Sequence, residues 1–183
     1  MQPARGSLLI SSATLQDPRF ARTLVLVLDS DDSGSLGVVL NRPATTPVGE
    51  VLASWSDLTS APQVLFEGGP VEGNAALAVA RLSGAGVPEA WQPLSATLGI
   101  LDLDRPPEEY VGLISALRVY AGYAGWGPGQ LDDEIDSGSW HLAPAEDHDL
   151  FSDDPGGLWR QVLRRQPGPV AMLSTLPEDA SLN

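Results

Sequence analysis

Residues 120–140, YAGYAGWGPGQLDDEIDSGSW, restrict the possible folds of this chain more than any other stretch. Val119, Ala121, Tyr123 and Trp126 suit a strand that ends in a tight turn. Gly122, Gly125, Gly127 and Gly129 then allow backbone angles and close approaches that other residues resist. Pro128 is expected in the first turn of a helix, where a missing N–H costs nothing. Residues 130–136 read as that helix, with Leu131 and Ile135 on one face. A strand, a glycine loop, a helix and a return thus follow one another within twenty-one residues.

The flanking segments alternate between strands and helices without a strict βαβ rhythm, which predicts a mixed sheet rather than a doubly wound one. Residues 6–11, 23–28 and 35–40 read as strands, the last two as an antiparallel hairpin across a polar turn. Further strands are expected at 64–66, 75–82, 97–103 and 139–143. Thr46 is expected to cap a helix that starts at Pro47 and turns Val48, Val51, Leu52 and Trp55 to one side. A second helix is predicted from Asp104, with Tyr110, Leu113, Ile114 and Leu117 as its buried stripe. A last helix follows Asp154-Pro155 and turns Leu158, Trp159, Val162 and Leu163 inward. A length of 183 residues fits one domain over 1–183, with an ordered core at about 6–176 and a loose tail at 177–183.

Composition closes off several chemistries. With no cysteine there is no disulfide, thiolate nucleophile or zinc–thiolate site. All ten basic residues are Arg, so neither a Schiff-base lysine nor a phosphate-loop lysine is available. The net charge of −14 repels phosphate backbones and anionic membranes. Only Arg160, Arg164 and Arg165 cluster, so direct DNA binding is not expected. The first residues lack the long apolar core of a signal peptide, and no run reaches the ~18 apolar residues of a spanning helix. The expectation is a soluble cytoplasmic protein without a membrane partner.

Asp29, Asp31, Ser33 and Gly34 open like a calcium loop, yet Leu40 stands where a bidentate Glu is needed, so a hairpin turn is expected. Glu146, Asp147, His148, Asp149, Asp153 and Asp154 have no regular ligand spacing and read as a solvated acidic loop. No metal or cofactor is expected. His141 has no ligand partner at defined spacing, and no G-x-S-x-G elbow marks a nucleophile. No catalytic residue is therefore assigned.

The glycine loop remains the best candidate for a site. A strand, glycines and a helix N-terminus present free N–H groups to an anion or a carbonyl. Asn41, Arg42, Gly68 and Gly69 sit on turns expected to emerge beside it, and Tyr123, Gly125, Trp126 and Gln130 would form its walls. The expected occupant is a small anionic ligand or a carboxylate on an unknown protein partner, held by Arg42. A monomer is favoured.

Several of these segments together resemble the YqgE/AlgH family of bacterial proteins. They are GSLLIS, DPRFARTLVLVLD, GVVLNRP, FEGGPV and GYAGWGPGQLDDEI followed by SW, in that order. The resemblance runs from Gly6 to the end of the last helix. It implies a compact α+β domain with a strongly curved, partly barrel-like sheet and flanking helices. The family is named for a proposed role in regulating alginate synthesis and has no agreed catalytic residue. The expected function is a non-enzymatic binding or regulatory protein. The alternatives are a transcription-associated regulator acting through DNA or a protein, and an enzyme acting in the glycine-loop cleft.

Overall fold

Apolar runs that are buried on both faces build most of the sheet. In the computed structural model, which describes residues 3–178, β1 spans Ser7–Ser11. Leu8 and Ile10 face one way and Leu9 the other, and all three are fully buried. β2 (Leu24–Asp31) and β3 (Gly34–Val39) form the antiparallel hairpin expected from their turn chemistry. Asp31 accepts the amide of Ser33 at 2.7 Å, which closes that turn. Hydrogen bonds from Ser33 hold the Asp31 carboxyl below the ordinary aspartate range. Each fully buried aliphatic side chain of β2 contributes roughly 1.5–3 kcal/mol.

β4 (Pro43–Pro47) pairs with β5 (Val64–Glu67). Between them lie α1 (Val48–Val51) and a 3₁₀ helix, Ala53–Leu58. The expected cap at Thr46 is thus corrected. Pairing with β5 holds this residue in a strand, Pro47 is the cap residue, and Val51 is exposed. β6 (Val71–Leu82), β7 (Gln92–Pro93) and β8 (Leu98–Leu101) follow.

The helix expected after Asp104 is also corrected. Pro107–Glu109 makes one 3₁₀ turn, and the chain then enters β9, Ile114–Trp126. Ile114 and Leu117 sit on this strand because β6 pairs with it from Leu82 to Val71. The remaining elements are α2 (Gln130–Asp136), β10 (Trp140–Pro144), α3 (Asp147–Leu150), α4 (Leu158–Arg164) and a 3₁₀ helix, Gly168–Thr175. Most of the expected tail, residues 179–183, lies outside the described residues.

The strand order is β10-β1-β2-β3-β9-β6-β8-β7, with β4 and β5 branching off. All described pairs are antiparallel except β5 with β9, so the sheet is mixed, as expected. The sheet curls into a half-barrel, and the fold is α+β. Leu8, Leu24, Val38, Phe66 and Val79 line its inner face, where Trp159, Val162 and Leu163 of α4 pack against them. On the outer face Leu131 of α2 joins Leu9, Val25 and Trp126, while Trp55 and Tyr110 cover Ala78 and Leu117.

One glycine decides which face β9 shows to which neighbour. Arg118 and Tyr120 point to the inner face, and Leu117 and Val119 to the outer. At Gly122 (φ +72°) the register with β6 jumps, from Ala76↔Ala121 to Val71↔Tyr123. This bulge inverts the alternation, so Ala124 and Trp126 lie on the outer face although they share even numbers with Arg118 and Tyr120. A Cβ at Gly122 would stand 2.6 Å from the carbonyl oxygen of Gly69.

Candidate functional site

The loop after β9 folds back on itself through side-chain bonds. Gly129, at φ +72°, is the cap residue of α2, and Pro128 precedes the helix rather than opening it. The left-handed turn at Gly129 takes the place expected for Pro128. Gln130 Oε1 accepts the amide of Gly127 at 3.0 Å, so this N–H of the loop is already occupied. Gln130 Nε2 donates to Glu134 Oε1 one helical turn on, at 2.9 Å. Glu134 Oε2 accepts two indole N–H groups, from Trp126 and Trp140, each at 2.9 Å. One carboxylate therefore ties the end of β9 to the start of β10.

The two indoles and Phe20 form a triangle of rings. Their centroids lie 6.4 Å (Phe20–Trp126), 5.8 Å (Phe20–Trp140) and 6.0 Å (Trp126–Trp140) apart. These distances fit stacked and edge-to-face packing. Beside the triangle lies a cleft of about 340 Å³, bounded by Phe20, Pro70, Gly125, Trp126, Gln130 and Glu134. At its rim Arg19 Nη2 donates to Asp17 Oδ2 at 2.7 Å, and this bond holds the Asp17 carboxyl below the ordinary aspartate range.

The residues expected to line one site are divided. Gly125, Trp126 and Gln130 border this cleft. Arg42 and Gly69 border a neighbouring hollow of about 150 Å³, with Glu67 and Val39. Arg19 and Pro70 line both. Arg42 donates to the carbonyls of Arg19 (2.6 Å), Pro18 (2.8 Å) and Ala21 (3.3 Å), and so fastens the 17–22 turn. Asn41 binds the amide of Leu24 (3.0 Å) and the carbonyl of Arg22 (2.9 Å), a purely internal tie. Gly68 bridges two strands, donating to Ala121 and accepting from Val39. A Cβ there would meet the carbonyl oxygen of Gly122 at 2.3 Å, so this glycine serves close backbone packing. Tyr123 packs against the inner-face core, three residues before Trp126 and so on the opposite face of β9.

Phe20, Glu134 and Trp140 were not singled out from the sequence. Glu134 had a signal: with Leu131 and Ile135 inward, Gln130 and Glu134 fall one turn apart on the adjoining side. Arg118 had none, since it lies within the apolar run ALRVY. Its side chain is fully buried. It donates to the carbonyls of Leu150 and Ser152 (both 3.2 Å) and of Ser60, Ala61 and Pro62 (3.2–3.5 Å). Its guanidinium stands 4.2 Å from the centroid of the Phe66 ring. Burial lowers the Arg118 pKa and raises that of the neighbouring Tyr120 phenol.

Of the arginine cluster, Arg165 is spent on the acidic segment, pairing with Glu146 and Asp149. Asp149 is buried, not solvated, and its Oδ1 accepts Arg165 Nη1 at 2.6 Å. Asp149 Oδ2 accepts the amide of Glu146, in a reciprocal cap of α3. Arg160 donates to the carbonyl of Ser174. Among the described residues no group of three or more His, Asp or Glu converges as a metal site. No described helix is long and apolar enough to cross a membrane.

A half-barrel with an aromatic–carboxylate cleft on its outer face is the class that fold and site define. The chain belongs to the AlgH-like family, whose sequence profile matches residues 8–171. A UPF0301 protein of Streptomyces coelicolor is 49% identical over 97% of this chain and 94% of its own length. The crystal structure of protein DIP2367 from Corynebacterium diphtheriae superposes with a TM-score of 0.91 at 31% identity, covering 95% of this chain and 93% of that one. The solution structure of AlgH from Pseudomonas aeruginosa shares the fold, with a TM-score of 0.70 at 24% identity over 97% of this chain and 96% of that one.

Proposed function

We propose that this chain is a non-enzymatic binding protein with a regulatory role, and that it receives a segment of a partner polypeptide in the cleft beside Trp126. The observation that carries this reading is the state of the ionisable groups around the cleft. Glu134 is committed to two indoles and Gln130, and Asp17 to Arg19. Groups so engaged position a surface; a general base or nucleophile needs a free lone pair aimed at a substrate. Two aromatic rings and a proline stand in the walls: Phe20, Trp126 and Pro70 offer broad apolar contact at low entropic cost. Glu134 leaves the cleft one negative charge in excess, Asp17 and Arg19 being paired at the rim, and the donors of Arg42 are turned to the 17–22 carbonyls. A peptide with an apolar anchor and amide groups therefore fits better than the small anion or partner carboxylate expected from the sequence.

Site-directed photocrosslinking tests this reading. A benzoylphenylalanine placed at Gln130, and a control at the exposed Glu108, are compared in cells that make the protein. The expected result is a discrete adduct from position 130 alone, lost when Phe20→Ala opens the wall. Identical adduct patterns from both positions would overturn it.

A further inference from the structure

The inner face of the half-barrel is sealed at one end and open at the other. At the sealed end the Trp159 indole of α4 donates to the carbonyl of Ser11 at 3.1 Å, and Leu8, Ile10 and Leu24 are fully buried. Ile10 pairs with Leu24, so Leu28 lies four residues further along β2, away from Ser11. Around that far end Leu36, Leu77 and Ile100 belong to the same inner-face core but are only partly buried. With Leu28 they border a cavity of about 410 Å³, inside the ~300–1,000 Å³ range of small-molecule pockets.

The rim of this cavity has one sign of charge in excess. Asp29, Asp102 and Asp104 stand there against a single cation, Arg5. Arg5 is already engaged, its Nε donating to the carbonyl of Leu28 at 2.9 Å and lying 3.8 Å from Asp29. Asp102 Oδ1 accepts the amide of Asp104 at 3.0 Å, which fixes this carboxylate at the mouth. An apolar floor beneath an acidic rim, on a chain of net charge −14, selects a ligand that is apolar at one end and cationic at the other.

We infer that the open end of the half-barrel binds a straight-chain alkylammonium, with its hydrocarbon against Leu36, Leu77 and Ile100 and its ammonium between Asp102 and Asp104. This site lies apart from the Trp126 cleft, with which it shares no lining residue. It does not rest on the partner reading given above.

Methyl NMR on the full chain tests it, with hexyl-, octyl- and decylammonium as probes below their aggregation limits. Saturable shifts are expected at the methyls of Leu36, Leu77 and Ile100. Affinity is expected to rise about three- to fourfold per added methylene, the gain for burying one CH₂. Asp102→Asn with Asp104→Asn is expected to weaken decylammonium about tenfold, as for loss of two nearby charges at a protein surface, and to leave decanol unchanged. Both side chains are exposed, and Asn keeps an oxygen to accept the Asp104 amide. A thermal melt confirms that the variant is folded. Absence of saturable shifts at these three residues would overturn the inference. So would decanoate binding as tightly as decylammonium, or an affinity independent of chain length.

Discussion

Two polar hubs flank β9, one on each face, and they are built with opposite signs. On the inner face Arg118 is a cation collecting five carbonyls from two loops, 60–62 and 150–152. On the outer face Glu134 is an anion collecting two indole N–H groups and an amide. Arg118 is fully buried, whereas Glu134 is partly exposed. Water can therefore replace a lost bond at Glu134 and cannot easily do so at Arg118. The same kind of hub is expected to be structural inside the barrel and adjustable outside it.

Arg118→Met tests the larger half of that contrast. It removes a buried guanidinium that donates to five carbonyls in two segments, so a loss of roughly 3–5 kcal/mol in urea unfolding is expected. Arg118→Lys should recover part of this, because one ammonium cannot reach both loops. The contrast breaks if Arg118→Met proves milder than removal of Glu134.

Gly122→Ala is expected to come next, at roughly 2–4 kcal/mol. It strains a left-handed backbone and drives a Cβ against the carbonyl of Gly69. Because the bulge sets the facing of Trp126, the indole fluorescence of the folded variant should shift to the red as that ring gains water. An unshifted spectrum at wild-type stability would show that the bulge is dispensable.

Glu134→Ala should cost about 1–2 kcal/mol, the range for a partly exposed, charge-assisted set of bonds. Its two indole N–H resonances should move together, since they share one oxygen. Separate behaviour would mean that the hub is two independent contacts.

The smallest effect concerns the cleft rim. The Asp17 carboxyl, bonded by Arg19, is expected to titrate below 3.8, the ordinary aspartate value. With the folded pKa depressed, the contribution of the pair is present above 3.8 and is lost as pH falls through the lower, folded value. Arg19→Ala should return the Asp17 titration, followed by carboxyl NMR, towards 3.8. No change would remove Arg19 as its cause.

The sequence showed these regions unequally, for physical reasons. β2 was legible because burial on both faces leaves an unbroken apolar run. The glycine loop and α2 were legible from local chemistry, since Leu131 and Ile135 repeat at helical spacing. Residues 105–117 misled because Tyr110, Ile114 and Leu117 repeat at the same spacing while two unlike elements, a turn and a strand, supply them. Pairing with β6 over most of β9 decided the matter, and pairing is not local. The split of the candidate site was hidden in the same way. Nothing near Arg42 says that its donors reach back more than twenty residues to the 17–22 turn. Nothing near Arg118 announces carbonyls more than thirty residues away on either side.

The place of β1 has a consequence for how the chain is made. It lies between β2 and β10, and the indole that seals its end belongs to Trp159, 148 residues after Ser11. At ~5–20 residues per second, a ribosome needs roughly seven to thirty seconds to supply that indole after β1 has emerged. Throughout that interval Leu8, Ile10 and Leu24 have no α4 to cover them, and for most of it the β10 side of β1 has no neighbour. The nascent chain therefore carries a sticky, half-finished sheet for most of its synthesis. Its yield in the cell is expected to depend on what shields that sheet until the last helix arrives.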